Sequence, residues 1–235
     1  MAATISRLID YHRRNGLRAT LRRSLVGLNR TFTLGRLVLF YCDLSEQHEP
    51  ISLAPSLRLD RVKELEVLSP EDLQRMTGFW HSELALRKMV ERFKMGATLW
   101  VVRETSKLAA YGWTLQGRTV EPYFFPLSAS DVHFFDFHVF EEYRGRRINP
   151  LLVQNILYSL GAECRGRAFI EAAEWNRSQL QSLRKTSFRY LGRVRKWSPL
   201  GRTIVHWSKS RSPWESLVEH GIPGGRVRPE VYGRQ

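Results

Sequence analysis

Three arginines and a glycine crowd one turn of this chain, within VFEEYRGRRINPLLVQNIL, Val139 to Leu157. The stretch reads as a strand, a basic glycine-bearing turn and an amphipathic helix. Backbone N–H groups at a helix start converge there with the guanidinium groups of Arg144, Arg146 and Arg147, and such a turn holds a diphosphate. A phosphorylated cofactor is expected at this position. Upstream, VHFFDFHVF, Val132 to Phe140, is aromatic and β-branched and reads as a mostly buried strand. Period two puts Asp136 and His138 on one of its faces as candidate proton-transfer groups.

Downstream, FIEAAEWNRSQLQSLRKTSFRYLGRV gives a strand, an asparagine, a short helix and another strand. At this point the chain resembles the GNAT (Gcn5-related N-acetyltransferase) superfamily. Val139, Arg144, Gly145 and Ile148 fit that family's pyrophosphate-cradling pattern, V-x-x-x-x-[RQ]-G-x-G-x-[GA]. Asn176, Leu180, Lys185 and Phe188 fit its following pattern, N-x-x-[SA]-x-x-L-x-x-K-x-G-F. The chain departs from these patterns at Arg147 and Asn149, where the family has its second and third turn glycines. It departs again at Ser187, another glycine position, and at Leu183, where many members carry the tyrosine that protonates the departing thiolate.

The resemblance implies an α+β fold. Its mixed, mostly antiparallel central sheet has splayed parallel strands and flanking helices, and the basic helical extension here is N-terminal to it. It also implies acetyl-CoA as acyl donor, an amine as acceptor, and no metal. Val139, Arg144, Gly145, Arg146, Arg147, Ile148, Asn149, Asn176 and Lys185 are the expected donor-binding residues. Glu171 stands where some members place a catalytic glutamate and is the first choice of general base. Asp136 and His138 follow it, and Tyr190 is a neighbouring acid candidate without motif support. An oxyanion donor is expected from the backbone near Val139.

The chain has 235 residues, 43% of them hydrophobic, enough to bury one good-sized core or one domain with an appendage. Two cysteines, Cys42 and Cys164, have no metal-ligand spacing and fit a reducing compartment as inert thiols. No apolar run approaches the roughly 20 residues needed to cross a bilayer. Cytoplasmic residence is expected, with peripheral contact at the inner membrane face as one option.

The net charge of +14 is unevenly placed, with eight arginines against Asp10 through Arg36. Apolar residues recur there at helical spacing around Gly16, so residues 1–36 read as two arginine-rich amphipathic helices. They suit an anionic membrane surface, or else a stripe packed on the main domain. A proline-marked link, SEQHEPISLAPS, is read as a boundary. The expected division is an extension with one strand over 1–50, the acyltransferase domain over 51–210 and a surface arm over 211–235.

Acceptors left open are amino sugars of surface or lipid-linked saccharides and protein or peptide amines. A different class of reading is an inactive basic module that binds nucleic acid or an anionic membrane surface. It lacks a recognisable nucleic-acid motif, which ranks it second. Oligomeric state is not readable from the sequence.

Overall fold

The β-branched and aromatic runs of the sequence become strands of one mixed sheet. The computed structural model describes residues 36–78, 82–120, 123–125, 127–197 and 204–207, together with Gly16. In chain order these form β1 (Arg36–Asp43), β2 (Leu57–Val62), α1 (Pro70–Thr77), α2 (Ser82–Lys94), β3 (Thr98–Glu104) and β4 (Lys107–Gln116). There follow β5 (Val132–Val139), α3 (Ile148–Glu163), β6 (Arg167–Ala173), α4 (Arg177–Leu183), β7 (Arg189–Trp197) and β8 (Ile204–Trp207). The helices expected within residues 1–36 and the arm from Arg211 lie outside the described residues.

The strand order is β2-β3-β4-β5-β6-β1-β7-β8. Neighbours are antiparallel except β5 and β6, which run parallel. Strand β1, grouped by the sequence with the N-terminal extension, pairs with β6 along one edge and β7 along the other. It therefore lies inside the sheet, and its Leu39 and Cys42 are fully buried.

Helix α1 starts at a capping box. The Ser69 hydroxyl accepts from the Asp72 N–H at 3.1 Å, and the Asp72 carboxylate accepts from the Ser69 N–H, with Pro70 at the first helical position. Asp72 is buried and also receives both terminal nitrogens of Arg103 at 2.8 and 2.7 Å, which ties the helix start to β3.

Helix α3 is not the amphipathic helix expected. Leu152, Val153, Ile156 and Leu157 are buried, and so are the polar Gln154 and Asn155. Buried amides need partners, and the link read as a boundary supplies them. Gln154 Nε2 donates to the Glu49 carbonyl at 3.0 Å, and Asn155 Nδ2 donates to the Ile51 carbonyl at 2.9 Å. The segment from Ser45 to Ser56 is thus a strap across α3. His48 of this strap lies over Gly161, where an added Cβ would sit 3.1 Å from the imidazole. The strap also covers Cys42, whose thiol is pushed up to about 12, by burial first and the Glu46 charge second. This thiol is not a nucleophile.

Candidate active site

Strand β5 pairs with β6 over only three rungs, Val132 to Phe134 against Ala168 to Ile170, although β5 continues to Val139 and β6 to Ala173. Below the rungs the two strands are clamped. The Arg167 guanidinium donates to the buried Asp131 carboxylate at 3.2 Å, and the Arg167 N–H donates to it at 3.1 Å. Gly166 lies so close to the Ser130 carbonyl that no side chain fits there. Above the rungs β5 bulges. The β4–β5 register shifts between Tyr111 and Trp113, and Asp136 takes the left-handed region at φ 52°. Gly112 lies opposite, and the Phe137 ring fills the space its side chain would need. The strands therefore part into a fork whose two inner edges have no strand partner among the described residues.

At the open end the chain leaves β5 through a short 3-10 turn, Glu141–Tyr143, and enters α3. Gly145 has φ 80° with open space on its Cβ side. Arg147, where the sequence pattern departs from glycine, itself adopts the left-handed conformation, φ 58° and ψ 22°, directly before the helix. The backbone thus keeps a glycine-like path with an arginine side chain on it. A fork of unpaired strand edges, closed by an arginine–glycine turn on a helix N-terminus, decides the architecture. The fold is GNAT-like.

No family profile matches the sequence, and no curated protein matches it. Among solved structures, the chain is similar to a GCN5-related N-acetyltransferase from Sphaerobacter thermophilus, at 12% identity and TM-score 0.48 over 74% of this chain and 51% of that one. It is similar to a GNAT-family acetyltransferase from Colwellia psychrerythraea, at 12% identity and TM-score 0.47 over 74% and 55%. A tandem GNAT protein from the clavulanic acid biosynthesis pathway matches at 15% identity and TM-score 0.48 over 66% and 50%. The chain spans about half the length of these structures.

In this GNAT-like frame the arginines of the turn are engaged differently. Arg144 Nε donates to the Val139 carbonyl at 3.3 Å, closing the end of β5. Arg146 pairs with Glu104 at the β3–β4 turn and lies over the Tyr143 ring at 5.5 Å. Ile148 is buried beneath the helix start. Asn149 turns toward α4, its Nδ2 donating to Gln179 Oε1 at 3.0 Å and Ser182 Oγ at 2.8 Å, so it joins α3 to α4. Asn176 caps α4 by accepting from the Gln179 N–H at 3.2 Å. Lys185 is exposed just past that helix. Leu183 is fully buried and supplies no acid.

Glu171 is the first residue of β6 beyond the last parallel rung. It shares a sheet face with Phe169 and with its β1 neighbour Leu39. Its carboxylate receives His133 Nε2, 3.1 Å from Oε2 and 3.3 Å from Oε1. His133 is buried, and the Tyr123 ring packs on it with centroids 4.8 Å apart. Burial, and then the Glu171 charge, push the Tyr123 hydroxyl well above its ordinary value. The sequence reading passed over His133. Its register partner Phe169 lies two residues before Glu171, so the contact is diagonal across a parallel pair and invisible until that pair is aligned.

Farther along the same face, Asp136 binds Arg92 of α2 at 2.5 Å. The Arg92 guanidinium lies over Trp113 and Phe135, 5.2 Å from each ring. These groups border a pocket of about 210 Å³ lined by Met76, Leu84, Met89, Tyr111 and Trp113. His138 stacks on Tyr111 at 5.5 Å. Burial first, and the Arg144 charge next, hold its imidazole below the usual value against the opposing pull of Asp136, so it is neutral at pH 7. Tyr190 is not brought to this group. It is exposed and packs edge-on against Phe40, whose neighbour Ile170 points to the sheet face opposite Glu171. Among the described residues no cluster of three or more His, Cys, Asp or Glu could hold a metal, and no helix is long and apolar enough to cross a membrane.

Proposed function

We propose that the chain is an acyl-CoA-dependent N-acyltransferase, acetyl-CoA being the first donor to test. The observation that carries this reading is the fork. Two strands end their pairing after three rungs inside a sheet, and the facing edges beyond them offer main-chain donors and acceptors that need partners. The pantetheine arm of CoA is an extended chain with two amides, and it satisfies both edges at once. Its diphosphate then reaches the turn at Arg144–Arg147, where the start of α3 supplies N–H groups and Gly145 leaves room.

The thioester supplies an activated acyl carbon and a good leaving group. Glu171, at the base of the fork, takes the proton that the attacking amine loses. The thiolate departs and takes its proton from solvent, since Leu183 offers none. The acceptor amine approaches from the face of Glu171 and Asp136, through the pocket below α2. An amino sugar of a surface or lipid-linked saccharide is the acceptor class favoured by the basic chain, and residues 1–36 would bring it to an anionic membrane from the cytoplasmic side.

Calorimetry with acetyl-CoA and free CoA on the full chain tests the reading, with Gly145→Glu as control. Wild-type binding in the micromolar range that the variant loses supports it. The variant places a carboxylate in open space at a left-handed position, so it acts on the anion site and not on the core. Absence of binding to the wild type sinks the acyltransferase reading and leaves the basic binding module as the one to pursue.

A further inference from the structure

We infer that His133 is a positioning residue for Glu171, and that the two side chains under Tyr123 form one proton-handling unit. The inference rests on the acyltransferase reading and adds to it a residue that no sequence motif marks. A carboxylate on the first residue of β6 past the β5 rungs would ordinarily rotate freely toward solvent. Glu171 is instead held from below by the ring N–H at His133 Nε2, within 3.1 and 3.3 Å of its two oxygens. His133 cannot turn away. Its ring stacks on Phe135 at 5.2 Å and is covered by Tyr123 at 4.8 Å, and the side chain is 6% exposed.

The partner of the ring decides which nitrogen donates. A carboxylate only accepts, so the contact requires the proton on Nε2. The Tyr123 hydroxyl is on the same carboxylate, where burial first, and then the Glu171 charge and a hydrogen bond to it, raise its pKa. Phe125, farther along the same segment, packs on Phe169 of β6 at 5.1 Å, so the aromatic residues cover the His133 side of the pair while the Glu171 side chain stays 25% exposed. Glu171 therefore presents to the fork a carboxylate whose rotamer is set from behind.

Three variants test this: His133→Phe keeps the stacked ring and removes the donor, His133→Gln restores an N–H, and Glu171→Gln removes the acceptor. Nitrogen-15 shifts of the His133 ring in the full-length protein are expected to report protonation at Nε2, and Glu171→Gln is expected to shift that signal. A ring protonated at Nδ1, or a signal indifferent to Glu171→Gln, overturns the inference whatever the activity. In thiol-release assays with acetyl-CoA and an amine panel, His133→Phe is expected to lower kcat about 10- to 100-fold at unchanged KM for acetyl-CoA. Recovery of at least half the lost factor is expected in His133→Gln, with equal melting temperatures. If wild type binds acetyl-CoA and transfers acyl groups while His133→Phe works as fast, the inference fails and the acyltransferase reading stands. If wild type binds no acetyl-CoA, that reading fails, and the ring shifts still decide the geometry.

Discussion

Arg147 is the position where sequence and backbone conflict, and the conflict can be measured. Its φ of 58° and ψ of 22° lie in the left-handed region, where a side chain costs roughly 1–2 kcal/mol and glycine costs almost nothing. Two substitutions separate the contributions. Arg147→Ala removes the guanidinium and keeps the strain, whereas Arg147→Gly removes both but adds about 0.4–1 kcal/mol of unfolded-state entropy. The net expectation is that the glycine variant is more stable than the alanine variant by about 0.5–1 kcal/mol. In a chain of this size that corresponds to roughly 1–4 °C in Tm. Urea unfolding followed by tryptophan fluorescence resolves such a difference if the two m-values agree. The same pair also separates charge from conformation in donor binding. Both variants lack the cation, so both should lose a similar, salt-sensitive part of acetyl-CoA affinity. An alanine variant as stable as the glycine variant would refute the argument that this turn follows a glycine path.

Arg103→Ala leaves Asp72 buried without its cation and is expected to cost about 3 kcal/mol in chemical unfolding. Burial pushes the Asp72 carboxyl up, but the bonds from Arg103 and Ser69 outweigh it and hold it below the usual value. A lowered carboxyl contributes stability above its unfolded value near pH 4, and that stability is lost as pH falls through the folded value. The Tm gap between wild type and Asp72→Asn should therefore narrow as pH is lowered from 7 toward 3. Gly112→Val drives a side chain into the Phe137 ring and should destabilise by about 1–3 kcal/mol, while Gly145→Ala, with open space around it, should cost only about 1 kcal/mol. Asn149→Ala is expected to leave acetyl-CoA affinity within about twofold and to lower Tm, because the side chain serves the α3–α4 contact.

Local signals carried much of the fold into the sequence. The strand within Val132 to Phe140, the Arg144–Gly145 turn and the helix start after it depend on a few neighbouring residues, and each appears in the structure at its expected place. Long-range pairing did not show. Nothing in RLVLFYCD indicates that β1 enters between β6 and β7, because a buried strand has the same composition wherever it is inserted. The polar link after it resembles a boundary by composition. Its structural role is in its carbonyls, at Glu49 and Ile51, which satisfy two amides a hundred residues away.

The insertion of β1 also accounts for the site. A strand that parts from one neighbour inside a sheet loses hydrogen bonds along that edge, and it stays extended only if the other edge is firmly held. Residues Glu171 to Ala173 have left β5, yet each is paired with β1, Leu39 to Leu37. β1 is in turn held by β7, from Leu39↔Gly192 back to Arg36↔Arg195. On the other arm, β5 beyond its bulge stays paired with β4 through His138 and Val139. Each arm of the fork is therefore supported on its outer edge, so the inner edges stay open without collapsing onto each other. Glu171, the base candidate that the family resemblance offers, occupies the first position on the β6 arm where this opening exists.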